Sequence, residues 1–141
     1  MRRVLVDDRL LGDVLRGVEP RSVQHREVFT TGYWYVRLCQ AVLASGQGSG
    51  VISSPFASLP EGLRSPATIA VMELPDTIGL VSLRSLAPLI GSLRRDHSLN
   101  ILAMEALAAA KYLQADVILS VACPHLQAAL THEGLTARVA R

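Results

Sequence analysis

Three short runs dominated by apolar residues, Val4-Leu5-Val6 and the segments 78–83 and 116–121, limit what this chain can fold into. A strand with one wet face alternates apolar and polar residues, whereas a continuous run is what burial on both faces of a parallel sheet demands. Helical spacing separates these runs. After the first, Asp8 is expected to cap a helix whose Leu10, Leu11, Val14 and Leu15 share a face, closed by Gly17. Val28-Phe29-Thr30 reads as a second strand, and Thr31 as the cap of a helix over 32–44 with Tyr35, Leu38 and Val42 on one side. Pro60-Glu61 suits a helix start, and Pro66 predicts a break within that helix.

The same alternation governs the second half. A helix is predicted over 85–95 with Leu86, Leu89, Ile90 and Leu93 aligned, then an Ala-rich helix over 99–114 capped by Ser98. Pro124 opens a helix that runs through His132 and stops at Gly134, and Ala137-Arg138-Val139 reads as a last strand. Helices alternating with greasy strands predict a three-layer α/β/α sandwich around a mainly parallel sheet, formed by residues 1–141 as one domain. The Ser/Gly-rich stretch 45–50 is expected to be a mobile loop within that domain.

Composition narrows the function classes. Half of the 141 residues are hydrophobic and the net charge is only +2, so burial can offset the ordering entropy and disorder is excluded. Cys39 and Cys123 have no Cys-x-x-Cys spacing, which excludes a thiolate zinc site and a disulfide framework and fits a reducing cytoplasm. The longest uncharged run, 38–60, is broken by Gln40, Gln47 and the Ser/Gly stretch, so no membrane span is expected; Met1-Arg2-Arg3 passes into an apolar run too short for a signal-peptide core. Thirteen arginines against the single Lys111 allow bidentate phosphate recognition, but twelve interspersed acids keep the charge too mild for tight nucleic-acid binding on that ground alone. Gly46, Gly48 and Gly50 follow a helix rather than a strand, and no P-loop or Ser-His-Asp order occurs, which disfavours nucleotide-dependent enzymes.

Functional groups of open α/β sheets collect beyond the carboxyl ends of the strands, where Asp7 and Asp8 fall. There they either hold Mg²⁺ or Mn²⁺ through oxygen ligands, or act only as a helix cap and a solvated strand end. Glu105 lies in Ala103-Met104-Glu105-Ala106-Leu107; if it faces inward it needs a metal ion or an arginine to stay charged, and otherwise it sits on the outer face. Tyr33-Trp34-Tyr35 beside Arg37 either stacks on unpaired bases or packs in the core, Tyr35 being directed inward with Leu38. Arg37 is expected to pair with Asp7 or Glu105, replacing a metal ion. Arg94-Arg95-Asp96-His97 is explained by the dipole at a helix end, and His125 and His132, seven residues apart, read as surface residues rather than joint ligands.

Together, Val4-Leu5-Val6-Asp7 with its helix, the segment 99–110 around Glu105, Val117-Ile118-Leu119-Ser120 and Pro124-His125-Leu126 resemble the PIN domain over nearly the whole chain. The resemblance implies a metal-dependent ribonuclease, of the kind found as the toxin half of toxin–antitoxin pairs. On it, Asp7 corresponds to the first-strand aspartate, Glu105 stands where the family has an aspartate, and Ser120 matches the Ser/Thr after the following strand. Asp7 and Glu105 would then be catalytic and would hold Mg²⁺ or Mn²⁺, with Asp8 as a third ligand and Arg37, Ser120, Arg9 and Tyr33 as binding residues. The chain also departs from the pattern: residues 33–40 contain no acid, and Val121-Ala122-Cys123 replaces the expected aspartate. Asp116 precedes its strand and is expected at the opposite rim from Asp7. Two readings follow, an RNA-cleaving enzyme or a module that binds RNA or a protein partner such as an antitoxin, with a small-molecule-binding α/β domain as a third. Surplus apolar surface predicts a homodimer.

Overall fold

The computed structural model describes residues 2–44 and 52–140; the loop expected at 45–50 lies outside them. In chain order the elements are β1 (Arg3–Val6), α1 (Asp8–Leu15), β2 (Glu27–Thr30), α2 (Gly32–Leu43), α3 (Ser54–Ala57), α4 (Glu61–Met72), β3 (Ile78–Leu80), α5 (Leu83–Leu93), α6 (Ile101–Leu113), β4 (Asp116–Leu119), α7 (Pro124–His132) and β5 (Ala137–Val139). The strands form one sheet in the order β3-β2-β1-β4-β5, and every pairing is parallel. Val4 lies opposite both Val28 and Asp116, so β1 is central and its carboxyl end is flanked by those of β2 and β4.

Side chains of a strand alternate between faces, and the two cores follow that alternation. Leu5, Val117 and Leu119 point into a core with residues of α5, α6 and α7, while Val4, Val6, Val28 and Ile118 point into one with residues of α1, α2, α3 and α4. This is the three-layer α/β/α arrangement that the continuous apolar runs demand. In α6, residues 103–110 are all buried, and the five alanines among them let the helix lie close to the sheet and its neighbours. Gly79 is required by a similar closeness: a Cβ there would lie 2.2 Å from the Phe29 ring on the neighbouring strand.

Boundaries differ from the sequence expectation for local reasons. Asp7, not Asp8, caps α1, because its backbone is the extended one (φ −78°, ψ −180°) that turns its carboxylate back to the Leu10 amide. Asn100 rather than Ser98 caps α6, accepting from the Ala103 amide at 2.9 Å, so the helix begins at Ile101. Ser82 caps α5, which ends β3 at Leu80 instead of 83 and starts the helix before residue 85. β4 stops at Leu119 rather than 121, since the Ser120 amide turns to Asp7. Pro66 does not break α4; the carbonyl it leaves unpaired belongs to Gly62, and both residues are exposed to water. No helix among the described residues is long and apolar enough to cross a membrane.

Candidate functional site

Because β1, β2 and β4 are parallel neighbours, the segments that leave their carboxyl ends meet at one rim. Thr30 donates its hydroxyl to the Val6 carbonyl at 2.9 Å and ties β2 to β1 there. Asp7 follows β1 and is almost wholly buried; its Oδ1 accepts from the Leu10 amide at 3.0 Å, and its Oδ2 accepts from the amide and the hydroxyl of Ser120, each at 2.7 Å. One carboxylate thus caps α1 and fastens β1 to β4. Asp8, one residue on, faces α2 instead. Its Oδ2 lies 2.9 Å from Arg37 Nε and its Oδ1 accepts from the Arg9 amide at 2.8 Å. Burial and the neighbouring Asp7 charge push the Asp8 carboxyl above its ordinary pKa, against the opposing pull of the Arg9 amide and Arg37.

Glu105 is completely buried, which removes the outer-face alternative. Two backbone amides meet it: Oε1 accepts from the Tyr33 amide at 2.8 Å and Oε2 from the Gly32 amide at 3.2 Å. A carboxylate on α6 therefore closes the N-terminus of α2, where unpaired amides and the helix dipole favour negative charge. Gly32 is fitted to it, since a Cβ would stand 3.1 Å from Oε2.

Between α1, α2, α6 and the start of α7 a cleft of about 270 Å³ opens over Asp7 and Asp8. Arg37, Asn100 and Ser120 supply its other polar groups, and Trp34, Leu102, Ala103, Leu119, Val121, Ala122 and Leu126 make most of its wall. Glu105 does not line it, nor does Tyr33, whose ring is exposed elsewhere. Arg9 is exposed and lines a neighbouring depression with Ser120, while Tyr35 packs inward and donates its hydroxyl to the Val71 carbonyl at 2.7 Å. Arg37 pairs with Asp8, not with Asp7 or Glu105 as the sequence suggested, because successive residues at a helix start point about 100° apart and Asp8 is the one aimed at α2. Asp116 lies at the opposite rim, bridged to Arg2 at 3.1 Å and Arg26 at 2.9 Å.

The acids of this rim do not fit the Mg²⁺ or Mn²⁺ that the PIN resemblance implies. Such an ion needs several oxygens aimed at one point. Here Asp7 carries three donors, Asp8 an arginine, and Glu105 two amides behind the wall. Among the described residues, the metal-ligating side chains that gather in a group of three are His97, His132 and Glu133.

That group is one the sequence reading missed. His97 Nε2 lies 2.8 Å from Glu133 Oε2, Lys111 Nζ 2.5 Å from Glu133 Oε1, and the His97 and His132 rings meet edge to face with centroids 5.3 Å apart. Hydrogen bonds from Lys111 and then His97 hold the Glu133 carboxyl at about 2. Separations of 22 and 36 residues hide these contacts from any local spacing rule. In comparisons with known proteins, the sequence matches no family model and no curated protein.

Proposed function

We propose that the chain is a PIN-like module that binds rather than cleaves, and that its cleft takes an apolar side chain from a protein partner. The observation that carries this reading is the internal neutralisation of the acids: Arg37 occupies the side of Asp8 that a metal would need, and Ser120 occupies that of Asp7. The wall above them is mostly apolar, and exposed Val121 extends it outward. Such a surface suits a peptide segment. A single-stranded RNA would favour exposed aromatic faces and unpaired cations, whereas Trp34 is buried, Tyr33 lies outside the cleft and Arg37 already holds Asp8. An antitoxin-like protein in the cytoplasm, with Cys39 and Cys123 reduced, belongs to this reading, as does assembly as a homodimer, which light scattering checks.

Trp34 is the sole tryptophan and lines the cleft, so its emission reports occupancy. Peptides selected from a random displayed library on the intact chain are expected to carry an apolar anchor residue and to shift the Trp34 emission. They should lose binding to Ala122→Arg, a substitution at an exposed wall position that fills the cleft without disturbing the core. Selected peptides indifferent to that variant would overturn the proposal. So would Mn²⁺-dependent RNA hydrolysis that Asp7→Asn abolishes, or tight single-stranded RNA binding that Ala122→Arg blocks.

A further inference from the structure

We propose that His97, His132 and Glu133 form a binding site for a Zn²⁺-class transition metal, separate from the cleft at the sheet's carboxyl rim. One ligand atom from each residue lies within 4.8 Å of those of the other two. Tetrahedral zinc with bonds of about 2.0–2.2 Å needs its ligand atoms roughly 3.4 Å apart, so a modest inward movement completes the set. His132 can supply it. It is the last residue of α7, its ring is exposed, and neither of its nitrogens has a hydrogen bond to a described residue. His97 and Glu133 are largely buried, their side chains 8% and 10% exposed, and the 2.8 Å hydrogen bond between them opens by about 0.6 Å to admit the ion.

The surroundings have the form of a metal site. Lys111 bonds Glu133 Oε1, which leaves Oε2 as the oxygen facing the two imidazoles and sets the angle of the carboxylate, as outer partners of metal ligands do. His97 and His132 line a cavity of about 290 Å³, whose wall also includes His125 from the first turn of α7. With two of its three protein ligands on that wall, a tetrahedral ion keeps a fourth position for water. Two imidazoles and one carboxylate select Zn²⁺, Co²⁺, Ni²⁺ or Cu²⁺ over the hard ions Mg²⁺ and Ca²⁺, which prefer oxygen alone. On binding, the metal takes the lone pairs of His97 Nε2 and Glu133 Oε2, and the proton between them leaves to solvent or moves to the other ring nitrogen.

Zn²⁺ titrated calorimetrically into the metal-free native chain at neutral pH should bind one ion per chain, and Mg²⁺ should give no comparable heat. His132→Ala, an exposed position that leaves the fold intact, is expected to weaken Zn²⁺ binding by at least about tenfold, the loss that even outer partners of metal ligands cause. His97→Gln, which keeps a hydrogen bond to Glu133 within reach, should do the same. Glu61→Gln and Asp76→Asn, at exposed positions, should leave the affinity unchanged, and Co²⁺ bound in place of zinc should give the visible absorption of a low-coordinate site that His132→Ala removes. Absence of Zn²⁺ binding, binding indifferent to His132→Ala, or equal binding of Mg²⁺ would each sink the proposal.

Discussion

The cleft over Asp7 and Asp8 and the pocket lined by His97 and His132 are of similar size, about 270 and 290 Å³, and each has carboxylates and basic groups beside it. They differ in who satisfies the carboxylates. In the cleft the acids answer to backbone amides, Ser120 and one half-exposed arginine, so they hold the fold together. Beside the pocket one carboxylate is shared by two side chains, and a third, His132, stands near it with no hydrogen-bond partner among the described residues. Acids at the carboxyl rim of a parallel sheet sit where helix N-termini begin and unpaired amides collect, so structural demand alone can place them there. A histidine suits the last turn of α7 in the same way, but that does not bring a second imidazole and a carboxylate to it.

Glu105 gives the largest expected effect. If it is a structural cap, Glu105→Ala strands the Gly32 and Tyr33 amides and leaves a cavity beneath α2, costing about 1–3 kcal/mol for each stranded donor. Urea unfolding measures this, and Glu105→Gln, which keeps an acceptor oxygen, should recover part of the loss. Acids gathered to hold a metal repel one another when metal-free, so their removal leaves a chain as stable or more so. That outcome for Glu105→Ala would erase the contrast between the two regions.

The residues that could be read in the sequence were those whose partners are near in the chain or dictated by the sheet. β1 announces itself as an apolar run, Thr31 as a cap, and Asp7 as a residue leaving a central strand. The fate of Glu105 was not legible, because its donors lie 72 and 73 residues away and belong to a helix whose approach is set by the packing of α6. Choosing between Asp7 and Asp8 as the cap depended on one ψ angle, and that choice decides which carboxylate meets Ser120 and which meets Arg37. The histidine pocket is assembled from the end of α5, the last turn of α6 and the end of α7; counting residues between His125 and His132 compared two members of one helix and passed over the pairing of His97 with Glu133.

Asp7→Asn comes next in size. The amide keeps an oxygen for Leu10 but turns a donor toward the Ser120 amide, which already donates, so about 1–3 kcal/mol should be lost in urea unfolding. The histidine pocket responds to acid instead. Glu133 is held at about 2 when folded against an ordinary 4.5, so the unfolded chain takes up its proton first as pH falls. Its contribution is whole above about 4.5 and is lost progressively down to about 2. Thermal unfolding of the metal-free chain should show that decline, and Glu133→Gln should flatten it.

The smallest effect, from Arg37→Gln, bears most directly on whether Arg37 stands in for an ion. Its guanidinium is about half exposed, so solvent screens the pair with Asp8 and its loss should cost no more than about 0.2–1 kcal/mol at neutral pH. The pH dependence has the opposite sense to that of Glu133. Asp8 is raised in the folded chain, so folding binds the proton more tightly than unfolding does, and stability falls as pH rises through the folded value. Without Arg37 that value rises further. The penalty of the variant should therefore shrink toward zero as the solution is acidified and Asp8 becomes neutral. Mn²⁺ titrated into Arg37→Gln is expected to give no heat, because Ser120 and Leu10 still hold the oxygens of Asp7 and Glu105 stays behind the wall. Mn²⁺ binding that appears on removing Arg37 alone would mean that one cation had merely been exchanged for another, and the two regions would then differ in occupant rather than in kind.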